Sequence, residues 1–367
     1  MRILFVTATY LPTSNGVTYH VSSTAQALRK LGHTVYILAP FSPGYTDSDK
    51  YIIRYPSLPN PFIKKYPLGV PFFPIEKIKR LKPDVVHTHH PLISGQFAAQ
   101  VAEKLDIPLF FTAHTQYEQY LNYYFPQGFN FTSKIIIGDL QNIAKKSKRV
   151  ICPSINTQLR LIKHNIKNTV VINNGVENHF LVKPSKKSFT QPTLAYTGRL
   201  DMEKNPLQLV KISKELKRII PNFRLLIIGT GLMFKKMFDL VIKSNLQENI
   251  IFTGEINRLI LPQIYKSVHL FITPSISEVM PISILEAMAS GIPIIGVEKS
   301  GLEEIIINGK TGFIIKNDSK KIAKKIAFVL SNSKNYYNLS LSTYQHALNF
   351  SSVKTAQKLV RIYRNAV

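Results

Sequence analysis

One cysteine, Cys152, is the only thiol in the 367 residues. A lone thiol closes no intrachain disulfide and builds no cysteine-based zinc cluster, which fits a reducing cytosol. Long apolar runs are missing as well: no uninterrupted stretch of about 18 apolar residues occurs, so no membrane-spanning helix is expected. The start, MRILFVTATYLPTSNG, reads as a strand and a loop without the charged-then-apolar layout of a signal peptide. The expected address is therefore cytoplasmic. Acids are scarce too, 21 Asp and Glu against 47 Lys and Arg, giving a net charge of +26. Such a surplus calls for anionic surroundings, whether nucleic acid, acidic lipid or phosphorylated substrates, or else marks a solvated basic surface in a chain rich in Ile, Asn and Lys. Composition does not choose among these. No recognised nucleic-acid motif, no repeat of solenoid period and no low-complexity tail is found.

What is present is an alternation of strands and helices. With 45% hydrophobic residues, the length favours two domains of ordinary size. RILFVTA is followed by the turn-rich TYLPTSNG, the helical VTYHVSSTAQALRKLG and the strand TVYILAP. The pattern recurs in DVVHTHHP, QFAAQVAEKL and PLFFTAHT, and again in RVICPS, INTQLRLIKH and VVINNG. These are parallel-sheet signals. A polar connection, ENHFLVKPSKKSFTQPT, interrupts them before the alternation restarts with LAYTGR, PLQLVKISKELKRI, FRLLIIGTG, NIIFTG, LILPQIYKS, VHLFITP and PIIGV. The reading is an α/β chain of two doubly wound domains, 1–175 and 193–350, joined by a linker at 176–192, with a C-terminal helix at 351–367 packing back on the first. Ligands of such sheets sit beyond the carboxyl ends of the strands, so a cleft between the two domains would gather the loops that carry Gly16, His89, His114, Arg199, Gly229, Gly231 and Glu278.

SEVMPISILEAMASGIP, residues 277–293, holds two glutamates in an otherwise apolar stretch. Glu278 falls just ahead of a helix that Pro281 begins and Ser290–Gly291 ends. Glu286 lies two turns further on and roughly 80° around the axis, so both carboxylates can face one site from different depths. The helix is apolar nearly all round, which implies burial, and an unpaired buried carboxylate is costly. A helix N-terminus attracts phosphate, whereas carboxylates accept from hydroxyls. Hydroxyls on either side of a diphosphate describe a nucleotide sugar.

This E-x7-E with the following AMASGIPII resembles the signature of family four of the retaining GT-B glycosyltransferases. That family has two facing Rossmann-like domains and uses nucleotide-diphosphate sugars. YTGRLDMEKN matches its G-R-L-x-x-x-K element, which implies that Arg199 and Lys204 grip the diphosphate. TSNG resembles its donor loop, with Gly16 contacting the donor and Asn15 where a second glycine is usual. VINNGVE resembles its interdomain turn, and SGLEEIIINGKTGFII its downstream run, with Glu304 in the matching acidic position. The resemblance further implies Glu286 on the ribose, Glu278 on the sugar, and Gly229, Met280, Pro281 and Ile282 lining the donor site. Val279 replaces the family's usual glycine and narrows the backbone beside the phosphates.

Independently of any family, a departing diphosphate needs fixed cations or a metal. No Asp-x-Asp pair is read as holding a divalent ion, so Arg199 and Lys204 are expected to serve and no metal or other cofactor is expected. His87, His89 and His90 could suggest a metal, but strand alternation puts His90 on the opposite side from the other two. PLFFTAHTQYEQY resembles the T-Y-H-T-x-Y-E-x-Y segment of the family's glucosyl-diacylglycerol synthases. This implies His114 at the transferred sugar, with Tyr117 on the acceptor side; His89, from its place in the loop after the preceding strand, is read as orienting the acceptor hydroxyl, although a packing role for it stays open. Residues 60–84 interleave Phe72 and Phe73 with Lys64, Lys65, Lys77, Lys79, Arg80 and Lys82, suited to docking on an anionic membrane surface. Aromatics among cations would also suit base stacking, but no nucleic-acid partner is expected. The expected protein is a peripheral membrane enzyme moving a hexose, glucose from UDP-glucose, to a lipid hydroxyl. A soluble or polysaccharide acceptor and GDP-mannose are its alternatives.

Overall fold

A computed structural model describes residues 1–58, 67–70, 73–114 and 129–367. The chain divides into two compact units, Met1–Gly175 with Ser352–Val367, and Val176–Ser351.

In the first unit, strands β1 (Arg2–Val6), β2 (Thr34–Pro40), β3 (Ile52–Tyr55), β6 (Val85–Thr88), β7 (Leu109–Thr112), β8 (Arg149–Cys152) and β9 (Thr169–Val171) form one sheet. A short antiparallel pair, β4 (Ser57–Leu58) and β5 (Leu68–Gly69), stands apart from it. The sheet order is β3-β2-β1-β6-β7-β8-β9. Every pairing in it is parallel. Alternation along β1 sends Leu4 and Val6 into the core on one face and Ile3 and Phe5 into the core on the other. Strands this apolar on both faces must be covered by helices on both. One cover is Ser352–Arg364, whose Leu359 and Tyr363 join Ile3, Phe5 and the helix Gly16–Lys30. Burying such side chains stabilises the unit by about 1.5–3 kcal/mol each.

The second unit repeats the plan with β10 (Thr193–Thr197), β11 (Arg224–Ile228), β12 (Ile250–Gly254), β13 (Leu270–Thr273), β14 (Ile294–Val297) and β15 (Gly312–Ile315). Their order is β12-β11-β10-β13-β14-β15, again wholly parallel. The direction of winding reverses between β1 and β6 in one sheet and between β10 and β13 in the other. Those are the points where a doubly wound sheet opens a crevice at its carboxyl edge.

Several elements depart from the sequence reading. Residues 176–192 are no free linker: Val176 and Phe180 are fully buried, and Val182 N donates to Ala289 O at 3.0 Å, so the stretch belongs to the second unit. Helix Phe234–Lys243 lies between β11 and β12, where the sequence was read as passing from strand to strand. Its outward Phe234, Phe238 and Ile242 stay substantially exposed, and Met237 and Val241 anchor it. Strands β3 and β15 and helices Phe129–Lys146, Ser319–Leu330 and Ser333–Ala347 were likewise not read from the sequence.

Candidate functional site

The loops after β10 and β13 bracket the reversal point of the second sheet. Arg199 follows β10, and its Nη1 and Nη2 donate to Asp201 at 2.9 Å and Glu203 at 2.6 Å. Lys204 ends the short turn Met202–Lys204, and its Nζ lies 2.8 Å from Glu278 Oε1. The structure thus joins the cation and the acid that the sequence assigned to diphosphate and sugar. Backbone approach explains two glycines here. Gly229, at φ +134, leaves no room for a Cβ beside the Gly198 carbonyl, and Gly301, at φ +90, leaves none beside the Glu278 carbonyl. Glu278 is held from the other side by Ser300, whose carbonyl accepts its backbone N–H at 2.7 Å.

Helix Ile282–Ala289 begins directly behind Glu278, with Pro281 in extended backbone at its cap rather than in its first turn. Met280 is buried in the apolar core, and Ile282, the first residue of the helix, is also buried. Glu286 is buried as well. Arg258 Nε donates to its Oε1 at 2.5 Å, and Arg258 Nη1 also bonds Glu177. Burial pushes the Glu286 carboxyl up to about 7 against the downward pull of Arg258. Arg258 was missed by sequence reasoning. A signal existed: it is the only arginine between Arg224 and Arg361, in a stretch that otherwise uses lysine, and a planar fork bridges two carboxylates better than an ammonium does.

Imidazoles dominate the corresponding edge of the first unit. His87 and His89 stack at 4.5 Å between ring centres, and His87 bonds Tyr363 and Thr112 at 2.5 and 2.7 Å. His90 turns away to accept the Ala8 N–H at 3.1 Å. His89 Nδ1 lies 3.0 Å from His114 Nε2, and the His20 ring stands 4.6 Å from that of His114. Burial lowers all five: His20 and His90 to about 4, His87 to about 3, and His89 and His114 well below the usual range. They are neutral at pH 7, so in the His89–His114 bond one ring donates and the other accepts. His89 has no exposed surface. This corrects its acceptor-side assignment: it stands behind His114, which is only partly buried. One nitrogen each of His20, His89 and His114 lie within 4.8 Å of one another, a spacing that could hold a metal ion, and His20 was not singled out from the sequence. The triplet Asp47-Ser48-Asp49 does have the Asp-x-Asp spacing overlooked in the sequence, but Arg54 binds Asp47 at 2.7 Å and Arg29 binds Asp49 at 2.5 Å. Gly16 opens helix Gly16–Lys30, which Asn15 caps through the Thr18 N–H at 2.9 Å; a Cβ on Gly16 would meet nothing within 4 Å.

Two family models match the chain in succession, Glycosyltransferase Family 4 over residues 14–180 and Glycosyl transferases group 1 over residues 178–346. This chain belongs to the family-four GT-B glycosyltransferases. The alpha-monoglucosyldiacylglycerol synthase of Acholeplasma laidlawii is 28% identical over 90% of this chain and 89% of its own. A GDP-mannose-dependent alpha-mannosyltransferase of Mycolicibacterium smegmatis is 27% identical over 88% and 86%. Among solved structures, a sucrose-phosphate synthase from Thermosynechococcus elongatus superposes with a TM-score of 0.81 at 19% identity, covering 99% of this chain and 98% of that one. At that identity the likeness shows the fold alone.

The basic segment of this glycosyltransferase is described in part. Lys77, Lys79, Arg80 and Lys82 are exposed around the short helix Ile75–Lys79. Phe73 is half-buried: it packs against the core of the first unit, with Lys77 Nζ 5.9 Å from its ring, so only part of it is left for insertion. Lys64, Lys65, Phe72 and Tyr117 lie outside the described residues. Among the described residues no helix is long and apolar enough to cross a membrane.

Proposed function

We propose that this glycosyltransferase moves glucose from UDP-glucose to a membrane-lipid hydroxyl such as that of diacylglycerol, with retention of configuration, at the inner face of the cell membrane. The observation that carries the transfer is the pairing of Lys204 with Glu278 at 2.8 Å, beside Arg199, across the reversal point of the second sheet. A charged diphosphate arriving there meets two cations already oriented by carboxylates, and Glu278 is left to accept from sugar hydroxyls. The C1–O bond to the β-phosphate breaks, a C1–O bond to the acceptor forms on the same face, and the acceptor's proton passes to the departing phosphate oxygen. Fixed cations favour this because negative charge grows on the leaving diphosphate. His114, neutral and partly buried, would hydrogen-bond the transferred sugar, and His89 would set which of its nitrogens carries the proton.

The diacylglycerol acceptor is supported by the Acholeplasma laidlawii relative and by the exposed cations at 77–82. Mannosyl transfer from GDP-mannose is the second reading, favoured by the mycobacterial relative at similar identity. UDP-glucose, GDP-mannose and other nucleotide sugars, each offered diacylglycerol and soluble sugars, test both when product mass and anomeric configuration are determined. Transfer to sugars alone would remove the lipid acceptor. Activity is expected to survive excess EDTA; its complete loss, restored by an added metal, would overturn the metal-independent reading.

A further inference from the structure

Arg258 ties together two acids from distant parts of the second unit. Glu177 stands at the unit's start, Arg258 in the loop after β12, and Glu286 on helix Ile282–Ala289. All three side chains keep 16% exposure or less. The guanidinium carbon lies 5.2 Å from the centre of the Phe180 ring. One cation against two carboxylates leaves a negative charge in excess where burial disfavours it. Facing this trio are the Tyr265 hydroxyl, bonded to Thr197 at 3.0 Å, and His179, whose Nδ1 lies 3.4 Å from Glu177 Oε2. Burial and Glu177 raise the Glu286 carboxyl, while Arg258 lowers it.

A carboxylate that accepts from two neighbouring hydroxyls must keep one rotamer and stay ionised. Arg258 occupies Glu286 Oε1, so Oε2 is the oxygen left for a ligand. We propose that Arg258 is the positioning residue of the nucleotide site, holding Glu286 by one oxygen so that the other meets the ribose hydroxyls, while Glu177 shares the guanidinium and tempers its hold. This rests on the assignment of Glu286 to the ribose. An arginine is required because its planar fork meets both acids at once, where a lysine would serve one.

Titration calorimetry of the full chain with UDP and GDP, each beside its 2′,3′-dideoxy counterpart, between pH 6 and 8.5 tests the proposal. Glu286→Gln is expected to weaken the better ribonucleotide about ten- to a hundredfold, the range of one charged hydrogen bond, and to spare the dideoxy form. Arg258→Gln should reproduce that selective loss and move the pH midpoint of binding upward, since Glu286 would then hold its proton longer. Glu177→Gln should move the midpoint downward, because Arg258 is left to Glu286 alone. Should Arg258→Gln fail to fold, Arg258→Lys is expected to give the same selective loss to a smaller degree. If Glu286→Gln binds as the parent does, the ribose assignment falls and the proposal with it. If Glu286→Gln weakens binding but the Arg258 variants match the parent in affinity and midpoint, the ribose assignment stands and the proposal is overturned. An unmoved or raised midpoint in Glu177→Gln overturns the shared hold.

Discussion

The two units share one plan of sheet and helices yet carry opposite chemistry at their carboxyl edges. The first gathers His20, His87, His89, His90 and His114, all made neutral by burial. The second gathers ion pairs: Arg199, Lys204 and Arg258 with Asp201, Glu203, Glu278, Glu177 and Glu286. A fold therefore sets where a site lies, while the side chains after each strand set what it does. Neutral imidazoles suit the recognition of hydroxyls, which carry no charge, and fixed ions suit a diphosphate whose charge grows during transfer. The contrast also predicts that the units respond differently to mutation and to pH.

Surface charge offers the largest expected effect. Replacing Lys77, Lys79, Arg80 and Lys82 together with Ser should remove up to about 4 kcal/mol of attraction to anionic vesicles, at about 1 kcal/mol per basic residue. Nucleotide binding by the second unit should be unchanged. Binding of the parent should weaken with salt, since surface attraction is screened over about 8 Å at physiological ionic strength. Equal vesicle binding by variant and parent would move the docking surface elsewhere.

Within the site, Lys204→Ala or Arg199→Ala is expected to lower kcat about a hundredfold or more, as each removes a fixed donor from developing charge. His114→Ala should cost about tenfold, the size of a neutral hydrogen bond. Steady-state kinetics of the three variants checks the order, and a larger loss from His114 than from Lys204 would break the division of labour between the units.

How much of this was legible in the residues depends on the kind of signal. Parallel strands were, because apolar runs such as RILFV and VHLFI need burial on both faces. Lys204 and Glu278 were picked out by the motifs that carry them, GRLDMEK and E-x7-E, rather than by their places after strands, and the structure pairs them at 2.8 Å. Arg258 was not, because its partners lie 28 and 81 positions away, and no local period reports a contact that distant. Phe73 was legible only in part: it lies in a stretch rich in cations, yet it is half-buried against the core of the first unit. His89 was read from its place after β6 as facing an acceptor, whereas burial, which local sequence does not encode, puts it behind His114.

The smallest expected effect is on stability, and it sharpens the contrast most directly. Buried histidines with lowered pKa contribute stability that is present above their ordinary 6.5 and lost as pH falls toward about 4 for His20 and His90. Glu286 runs the other way: its carboxyl is raised from 4.5 to about 7, so its contribution is present below 4.5 and lost as pH rises through about 7. At pH 5 the protonated acid resembles an amide, and Glu286→Gln should unfold in urea at nearly the parent's midpoint. By pH 8 the parent holds an ionised carboxylate in a buried place and the variant does not, so the variant's midpoint should be the higher of the two. The acid-side loss that the histidines impose should persist in both proteins. A variant less stable than the parent at pH 8 would mean that the pair with Arg258 outweighs the cost of burying the charge, and the second unit would then be stabilised by its ions rather than merely furnished with them.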